Sequence, residues 1–259
     1  MRSPAARQVG LLAHRSITRT LRDPGNVAPG IVVPLLLFLI VGSGLGDATK
    51  IEGFPTDSFI TFALTIPFAQ GAMMTIGNTG QAITTDIEHG FINRLALTPL
   101  RGVALLAAQL AGALVVGVIQ AAVFFGVGLA AGARVEAGVV GALVLFALFI
   151  VAVLGFGAFG IFIGLWTGSS PAVQAIAPLA GVFLFLSSMA FPRNLIETDW
   201  FRQVATLNPL SYLVEGMRSL LIFGWDGQAL ALGFLVAGVV LIVSIVASAA
   251  TLRRRLVAR

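Results

Sequence analysis

Six long apolar runs constrain the fold of this chain more than any other feature of its sequence. They cover residues 27–46, 58–83, 103–131, 137–166, 171–191 and 229–252. Each run reaches the roughly 20 residues that a helix needs to cross the hydrocarbon core of a bilayer. Because lipid cannot hydrogen-bond the backbone, such runs must satisfy their amides internally. We therefore predict an all-α integral membrane fold with six transmembrane helices.

Composition agrees with a chain whose solvent is the bilayer. Only 10% of its residues are charged, against about a quarter in soluble domains, and its mean hydropathy is +0.98. It has no cysteine, which excludes disulfides and thiolate metal sites. The net charge of +5 is not gathered into a basic patch interleaved with aromatic residues, so no nucleic-acid partner is predicted. The sequence shows no metal-ligand cluster and no hydrolase motif.

Residues 1–26 form the first of three predicted segments. Apolar residues between positions 9 and 21 share one face of a helix, and arginines share the other. Those arginines are Arg7, Arg15, Arg19 and Arg22. The pattern predicts an amphipathic helix in the cytoplasmic interface, with its arginines on lipid phosphates. The alternative is a disordered basic tail.

Residues 27–252 form the predicted six-span domain, and residues 253–259 form a basic cytoplasmic tail. With both termini on one side, that side carries eleven arginines and three carboxylates, a net charge of +8, while the other side has a net charge of −3. By the positive-inside rule, both termini are cytoplasmic, and we expect a multi-pass protein of the cytoplasmic membrane.

The stretch "NPLSYLVEGMRSLLIFG" between the last two spans predicts a helix of about 14 residues, too short to cross. Asn208 is its expected N-cap and Pro209 its first residue. Glu215 and Arg218 lie three residues apart on it. We expect this external helix to be re-entrant or interfacial.

The stretch "DIEHGFINRLALTPL", residues 86–100, lies between the second and third spans. Lipid cannot solvate its charges, so it is expected in water or against another protein. Glu88 and Arg94 offer charge-assisted contacts, Gly90 permits close backbone approach, and Thr98-Pro99 ends the segment. These features fit a short helix that docks on a soluble partner. An ordinary solvated loop is the alternative.

This stretch, extended to "DIEHGFINRLALTPLRG", resembles the cytoplasmic segment of type-2 ATP-binding-cassette exporter permeases. Eight residues fit that pattern: Asp86, Glu88, Gly90, Arg94, Leu95, Thr98, Pro99 and Leu100. Four depart from it: Ile87, His89, Phe91 and Asn93. The Gly-Phe-Ile-Asn-Arg form is similar to the daunorubicin-resistance branch. The N-terminal helix with "RDP", the six spans and "W…NPLSYLVEGMR" also resemble this family.

The resemblance implies that the stretch is a coupling helix to a separate ATPase subunit. Its implied coupling residues are Asp86, Glu88, His89, Gly90, Arg94, Thr98 and Pro99. The implied assembly has two ATPase subunits and two permease subunits, identical or homologous, with ATP and magnesium on the ATPase. The chain itself lacks a Walker A loop, since its only lysine, Lys50, lies between Thr49 and Ile51. It is therefore expected to be a transport subunit and not an enzyme.

Uncharged polar residues suggest a path for cargo. Gln70, Met74, Asn78 and Gln81 share one face of the second span, and Gln109 and Gln120 share a face of the third. Interhelical hydrogen bonding is the alternative role for each. Glycines 126, 128, 155, 157, 160 and 164 are expected to be close-packing sites.

The spans contain essentially no ionisable residue, which argues against coupling to an ion gradient. We expect an exporter of an amphipathic or hydrophobic substrate, such as a drug, a lipid or a lipid-linked glycan. The alternatives are an ion-gradient-coupled secondary transporter or channel, and a membrane-embedded transferase.

Overall fold

The computed structural model of the chain describes residues 4–22, 24–92, 102–189 and 191–257. Every regular element in these ranges is helical, and no strand occurs in them. Four helices are long and apolar enough to cross a membrane: Phe59–Glu88, Ala104–Ala130, Gly138–Thr167 and Gly227–Arg255. Two further apolar helices, Pro29–Gly44 and Ser170–Phe185, have 16 residues each. The chain is thus an all-α membrane protein.

The helices are numbered here in chain order. They are α1 Pro4–Leu21, α2 Pro24–Val27, α3 Pro29–Gly44, α4 Phe59–Ala63, α5 Thr65–Glu88, α6 Gly102–Ala130, α7 Gly138–Thr167, α8 Ser170–Phe185, α9 Asp199–Leu207, α10 Pro209–Ile222 and α11 Gly227–Val257. The ends of α5, α7, α8 and α11 that carry Glu88, Leu165, Ser170 and Arg255 lie together, and α1 packs beside them. We call this end of the bundle the terminal end.

A single interrupted turn at Leu64 separates α4 from α5. Pro67 explains it, because proline has no amide hydrogen to donate to the carbonyl four residues earlier, that of Ala63. The Thr65 hydroxyl donates to the Phe62 carbonyl at 3.0 Å and satisfies a neighbouring acceptor. The short break between α4 and α5 is therefore the local effect of Pro67.

Helix α5 is the centre of the bundle, and its contact with α7 is built on glycine. The Thr79 hydroxyl donates to the Gly157 carbonyl across the interface at 2.8 Å. A Cβ added at Gly160 would lie 2.2 Å from the Ile76 carbonyl oxygen, and one at Gly164 would lie 2.3 Å from the Ile83 side chain. Small residues thus allow the two backbones to approach closely, as in other membrane helix pairs.

The other glycines that the sequence assigned to close packing divide into two groups. Gly155 lies against the backbone of α11, and Gly128 lies against Leu64. Gly126 has no atom within 4 Å of its added Cβ, so its predicted close-packing role is wrong within the single chain.

Helix α10 begins at Pro209 and ends at Ile222, with Asn208 as its N-cap, as the sequence predicts. The Asn208 side chain accepts a hydrogen bond from the Leu210 amide at 2.9 Å. Most of the helix is buried against α7 and α11. Its backbone meets α11 where Gly216 faces Gly233, because neither residue has a side chain to hold the helices apart.

Candidate coupling site

The predicted coupling stretch begins inside a helix. Residues 86–88 form the last turn of α5, His89 is the C-cap, and Gly90 follows with φ of +69°. A left-handed glycine after the last helical turn is a common way to end a helix. Three of the predicted coupling residues, Arg94, Thr98 and Pro99, lie outside the described residues. The described part of the site therefore consists of the end of α5 and the helices around it.

Asp86 is buried in the protein and is the centre of a charged cluster. Only 4% of its side chain is exposed. Its Oδ1 accepts hydrogen bonds from Arg15 Nη2 at 3.2 Å and Arg19 Nη1 at 2.9 Å, and its Oδ2 accepts one from Gln109 Nε2 at 2.9 Å. These four residues, the Asp86 cluster, join α1, α5 and α6. A buried carboxylate requires such partners because losing its hydration is costly.

The cluster changes two expectations drawn from the sequence. Asp86, whose charge was expected in water or against another protein, is buried in its own chain, and Arg15, Arg19 and Gln109 supply its hydrogen bonds. Arg15 and Arg19, which were expected on lipid phosphates, bind Asp86, and the Arg15 guanidinium also lies 3.9 Å from the centre of the Phe91 ring. Arg22 is exposed, and the side chain of Arg7 lies outside the described part of the chain.

Glu88 is exposed but also engaged within the chain. Its Oε1 accepts a hydrogen bond at 3.0 Å from the backbone amide of Ser170, the first residue of α8. The first amides of a helix have no partner within it and carry partial positive charge, so a carboxylate stabilises them. On the other side of α7, Arg255 of α11 donates to the Leu165 carbonyl and, at 3.4 Å, to that of Trp166. Side-chain bonds thus tie the end of α5 to α8 and the end of α11 to α7.

A cavity of about 230 Å³, lined by both polar and apolar side chains, lies beside the Asp86 cluster between α1, α5 and α6. Three of the residues predicted to line a substrate path reach it: Asn78, Gln81 and Gln109. Gln109 is occupied by Asp86, and Gln120 donates to the Gly30 carbonyl of α3 at 2.8 Å. Both contacts are hydrogen bonds between helices, which was the alternative to a role in lining a path for cargo. Gln70 and Met74 are half-buried elsewhere on α5, and the buried Gln70 Oε1 has no hydrogen-bond donor in the described structure.

Sequence comparison identifies the family to which the chain belongs. Residues 7–222 match the family described as ABC-2 type transporter. The chain belongs to the ABC-2 type transporter family. This permease is 24% identical to the "Probable doxorubicin resistance ABC transporter permease protein DrrC" of Mycobacterium tuberculosis (strain ATCC 25618 / H37Rv), over 86% of its own length and 79% of the relative. It is 27% identical to the "Daunorubicin resistance ABC transporter permease protein DrrB1" of Streptomyces coeruleorubidus, over 83% of its own length and 72% of the relative.

Family membership establishes the general role of the permease. It is the membrane subunit of an ATP-driven exporter and has no ATPase site of its own. The energy for transport therefore comes from an ATP-binding partner subunit.

At the opposite end of the permease, α10 carries a buried arginine. Arg218 is 4% exposed and donates to the carbonyls of Ser188 at 3.0 Å and Met189 at 2.9 Å. It also donates to the Thr65 hydroxyl at 3.3 Å, and its guanidinium lies 3.8 Å from the centre of the Phe62 ring. Arg218 thus joins α10 to the turn after α8 and to the break between α4 and α5.

Glu215, three residues before Arg218, forms its ion pair with Arg193 of the loop after α8. The hydrogen bond to Glu215 raises the pKa of Arg193 above its ordinary value. The Arg193 guanidinium also lies 4.4 Å from the centre of the Tyr212 ring. Arg193 and Glu215 together fix the outer part of α10.

Sequence reasoning missed several partners of the predicted residues, among them Phe91, Ser170 and Arg193. It also missed the contact of Arg255 with the end of α7. One signal was available for the Asp86 cluster, since a carboxylate at the end of a span and arginines on an amphipathic helix were assigned to the same side. The Ser170 and Arg255 contacts involve backbone groups at helix ends, and side-chain patterns do not reveal which distant helix end a charge will meet.

Proposed function

We propose that residues 86–100 form the surface on which the ATP-binding subunit docks, with Asp86, Glu88, His89, Gly90, Arg94, Thr98 and Pro99 as its functional residues. The Asp86 cluster carries this proposal. It places a buried, triply bonded carboxylate at the base of the segment, where a movement of the segment pulls on α1, α5 and α6 together. The family resemblance of the segment supports the same role.

The contacts around α5 support transmission into the bundle. Glu88 joins the segment to the start of α8, and the glycine contact joins α5 to α7 with backbone atoms in direct contact. Closely packed interfaces without intervening flexible side chains resist gradual deformation and move as units. A displacement of the segment by the ATP-binding subunit therefore shifts several spans at once.

The proposed topology has six spans, both termini in the cytoplasm and α10 re-entrant from the outer side. At 1.5 Å per residue, the 16 residues of α3 and of α8 extend about 24 Å, close to a hydrocarbon core of about 30 Å. The four-residue α2 precedes α3 directly, and a hydrogen-bonded turn follows α8. These short extensions bring both helices to the thickness of a membrane.

The proposed cargo is amphipathic or hydrophobic: a drug, a lipid or a lipid-linked glycan. An apolar groove of about 470 Å³ supports this class, and it is lined by α5, α7, α8, α10 and α11. Its volume falls in the range of about 300–1,000 Å³ that holds drug-sized ligands. The names of both relatives refer to resistance to a drug, doxorubicin in one and daunorubicin in the other.

The proposed assembly contains two copies of the permease, or the permease and a homologue, with two ATP-binding subunits in the cytoplasmic membrane. ATP and magnesium bind to the partner subunits.

Cross-linking between the two kinds of subunit tests the docking surface. Because the chain has no cysteine, single cysteines at positions 89 and 94 can be coupled to the ATP-binding subunit without background from the permease. We expect both positions to cross-link, and a cysteine at position 206 of the opposite end to remain uncoupled. Cross-linking at 206 but not at 89 or 94 would reverse the proposed orientation and remove the docking role.

A further inference from the structure

The cavity beside the Asp86 cluster contains hydrogen-bond donors for which the described part of the chain provides no acceptor. Each arginine side chain has five N–H donors, and Arg15 and Arg19 each direct one nitrogen to Asp86. Their side chains are 46% and 39% exposed. The side-chain amides of Asn78 and Gln81 line the same cavity and form no hydrogen bond with another described residue. The cavity therefore favours a ligand rich in acceptor oxygens.

The net charge of the Asp86 cluster restricts the class of ligand. Two arginines and one buried aspartate leave the cluster with one positive charge. A monoanionic group such as a phosphate diester neutralises that charge, whereas a cationic amine is repelled by it. Arginine binds phosphate through short charge-assisted hydrogen bonds, and amide N–H groups add neutral donors. The combination selects an anion with several oxygens.

The size and position of the cavity restrict the class of ligand further. The cavity, at about 230 Å³, is smaller than the roughly 300–1,000 Å³ of sites for drug-sized molecules, so it fits a headgroup and not a whole amphiphile. It lies between an amphipathic helix and two membrane helices at the terminal end. Basic pockets between membrane helices on the cytoplasmic side are typical binding sites for anionic lipid headgroups.

We propose that this cavity binds the phosphate group of an inner-leaflet amphiphile, through Arg15, Arg19, Asn78 and Gln81. Asp86 holds the two guanidinium groups in place and leaves their outer N–H groups for the phosphate. The inference rests on the proposed cytoplasmic orientation of the terminal end. It adds a phosphate group to the description of the ligand, whereas the apolar groove indicates only a hydrophobic part.

Lipid binding to the purified complex of permease and ATP-binding subunit tests the proposal. The probes are dioctanoyl phosphatidylglycerol, dioctanoyl glycerol without the phosphate, and soluble glycerol 3-phosphate, each measured by native mass spectrometry and by titration. We expect the phosphatidylglycerol to bind to the complex, and we expect no binding of dioctanoyl glycerol, which lacks the phosphate. Competition by glycerol 3-phosphate at equal concentration would assign the phosphate site to a soluble ligand instead of a lipid.

Two variants remove the unused donors without touching the Asp86 cluster. Asn78→Leu combined with Gln81→Leu should weaken phosphatidylglycerol binding about tenfold or more, since two hydrogen bonds are lost. Gln81→Glu, nearly the same shape, should weaken it by repulsion and serves if the double variant folds poorly. Arg22→Gln is the matched control, because it removes a charge from the exposed end of the same amphipathic segment without lining the cavity.

Equal binding of dioctanoyl glycerol and phosphatidylglycerol would overturn the proposal. So would unchanged binding in both cavity variants, or an equal loss in Arg22→Gln. None of these measurements requires ATP hydrolysis, so a failure of the phosphate site can be told apart from a failure of the docking surface, which the cross-links report.

Discussion

At the scale of single residues, Asp86 joins three helices at the terminal end of the bundle. It is the shared acceptor for donors from two other helices, and the remaining exposure of its side chain is only 4%. If one of the two arginines is removed, Asp86 keeps the other as a cationic partner. If both are removed, its buried negative charge keeps only the amide donor of Gln109. The two arginines therefore act jointly on one carboxylate.

The first prediction follows from this sharing. Arg15→Ala or Arg19→Ala alone should destabilise the permease by no more than about 1 kcal/mol, because each arginine is well exposed and the other remains. The double variant should cost about 3 kcal/mol, since the buried charge loses both ionic partners. Thermal unfolding of the four proteins of the cycle measures the difference, and Arg22→Ala is the control. Additive losses would show that the arginines do not share Asp86.

Gly90 gives a second prediction at this scale. Its φ of +69° disfavours residues with a β-branched side chain, although nothing lies within 4 Å of its added Cβ. Gly90→Val should therefore distort the start of the docking segment and reduce coupled ATPase activity and export in vesicles. Gly90→Asn should keep most of both, because asparagine tolerates the left-handed region. Equal loss in both variants would point to a steric contact with the partner subunit and not to backbone conformation.

At the scale of elements, the α5–α7 contact sets how closely the bundle can pack. Gly157, Gly160 and Gly164 follow one another along α7 and meet Thr75, Ile76, Thr79, Gly80 and Ile83 of α5. The contact includes backbone carbonyls, which cannot rotate away from an added methyl group as a side chain can. This interface is therefore intolerant of even small increases in side-chain volume.

The third prediction compares two glycines in membrane helices. Gly160→Ala should destabilise the permease by about 1–3 kcal/mol, because its methyl group would overlap the Ile76 carbonyl. Gly126→Ala should be neutral or slightly stabilising, since the space around Gly126 is open and alanine favours a helix. The thermal unfolding midpoints of the purified variants provide the measurement. A large loss in Gly126→Ala would instead place that residue in an interface with another subunit.

Elements with local signals could be predicted from the sequence. The bounds of α10 follow from Asn208, Pro209 and Gly224, which has φ of +84° just past its end. Contacts that depend on tertiary approach could not be predicted. Arg15 and Asp86 are 71 residues apart, and Glu88 and Ser170 are 82 apart, so no periodicity links them. The burial of Arg218 within the external helix could not be predicted either, because the carbonyls after α8 provide acceptors that the sequence does not reveal.

At the scale of the whole molecule, charge separates the two ends of the bundle. The terminal end contains the Asp86 cluster, Glu88 and Arg255, and the opposite end contains the ion pairs Arg193–Glu215 and Arg202–Asp199. The net charges of +8 and −3 that were calculated from the sequence rest on this assignment of sides. By the positive-inside rule, this assignment supports the proposed orientation, in which the terminal end faces the cytoplasm and the ATP-binding subunit.

The fourth prediction tests this orientation. Single cysteines at the exposed positions 22 and 253 should react with a membrane-impermeant reagent only from the cytoplasm. Cysteines at positions 50 and 206, also at exposed residues, should react only from outside. The cysteine-free chain supplies the background. Labelling of position 206 from the cytoplasm would mean that α10 crosses the membrane, and the six-span topology would be wrong.

The burial of Arg218 also bears on how the chain is made. Its partners Phe62, Thr65, Ser188 and Met189 all precede it in the sequence, so the ribosome has synthesised every one of them before Arg218 emerges. A charged residue that entered lipid alone would carry a large penalty. Here the groups that bind the charge are available from the moment the residue is synthesised. Helix α10 can thus fold against them without leaving an unpaired charge in the bilayer.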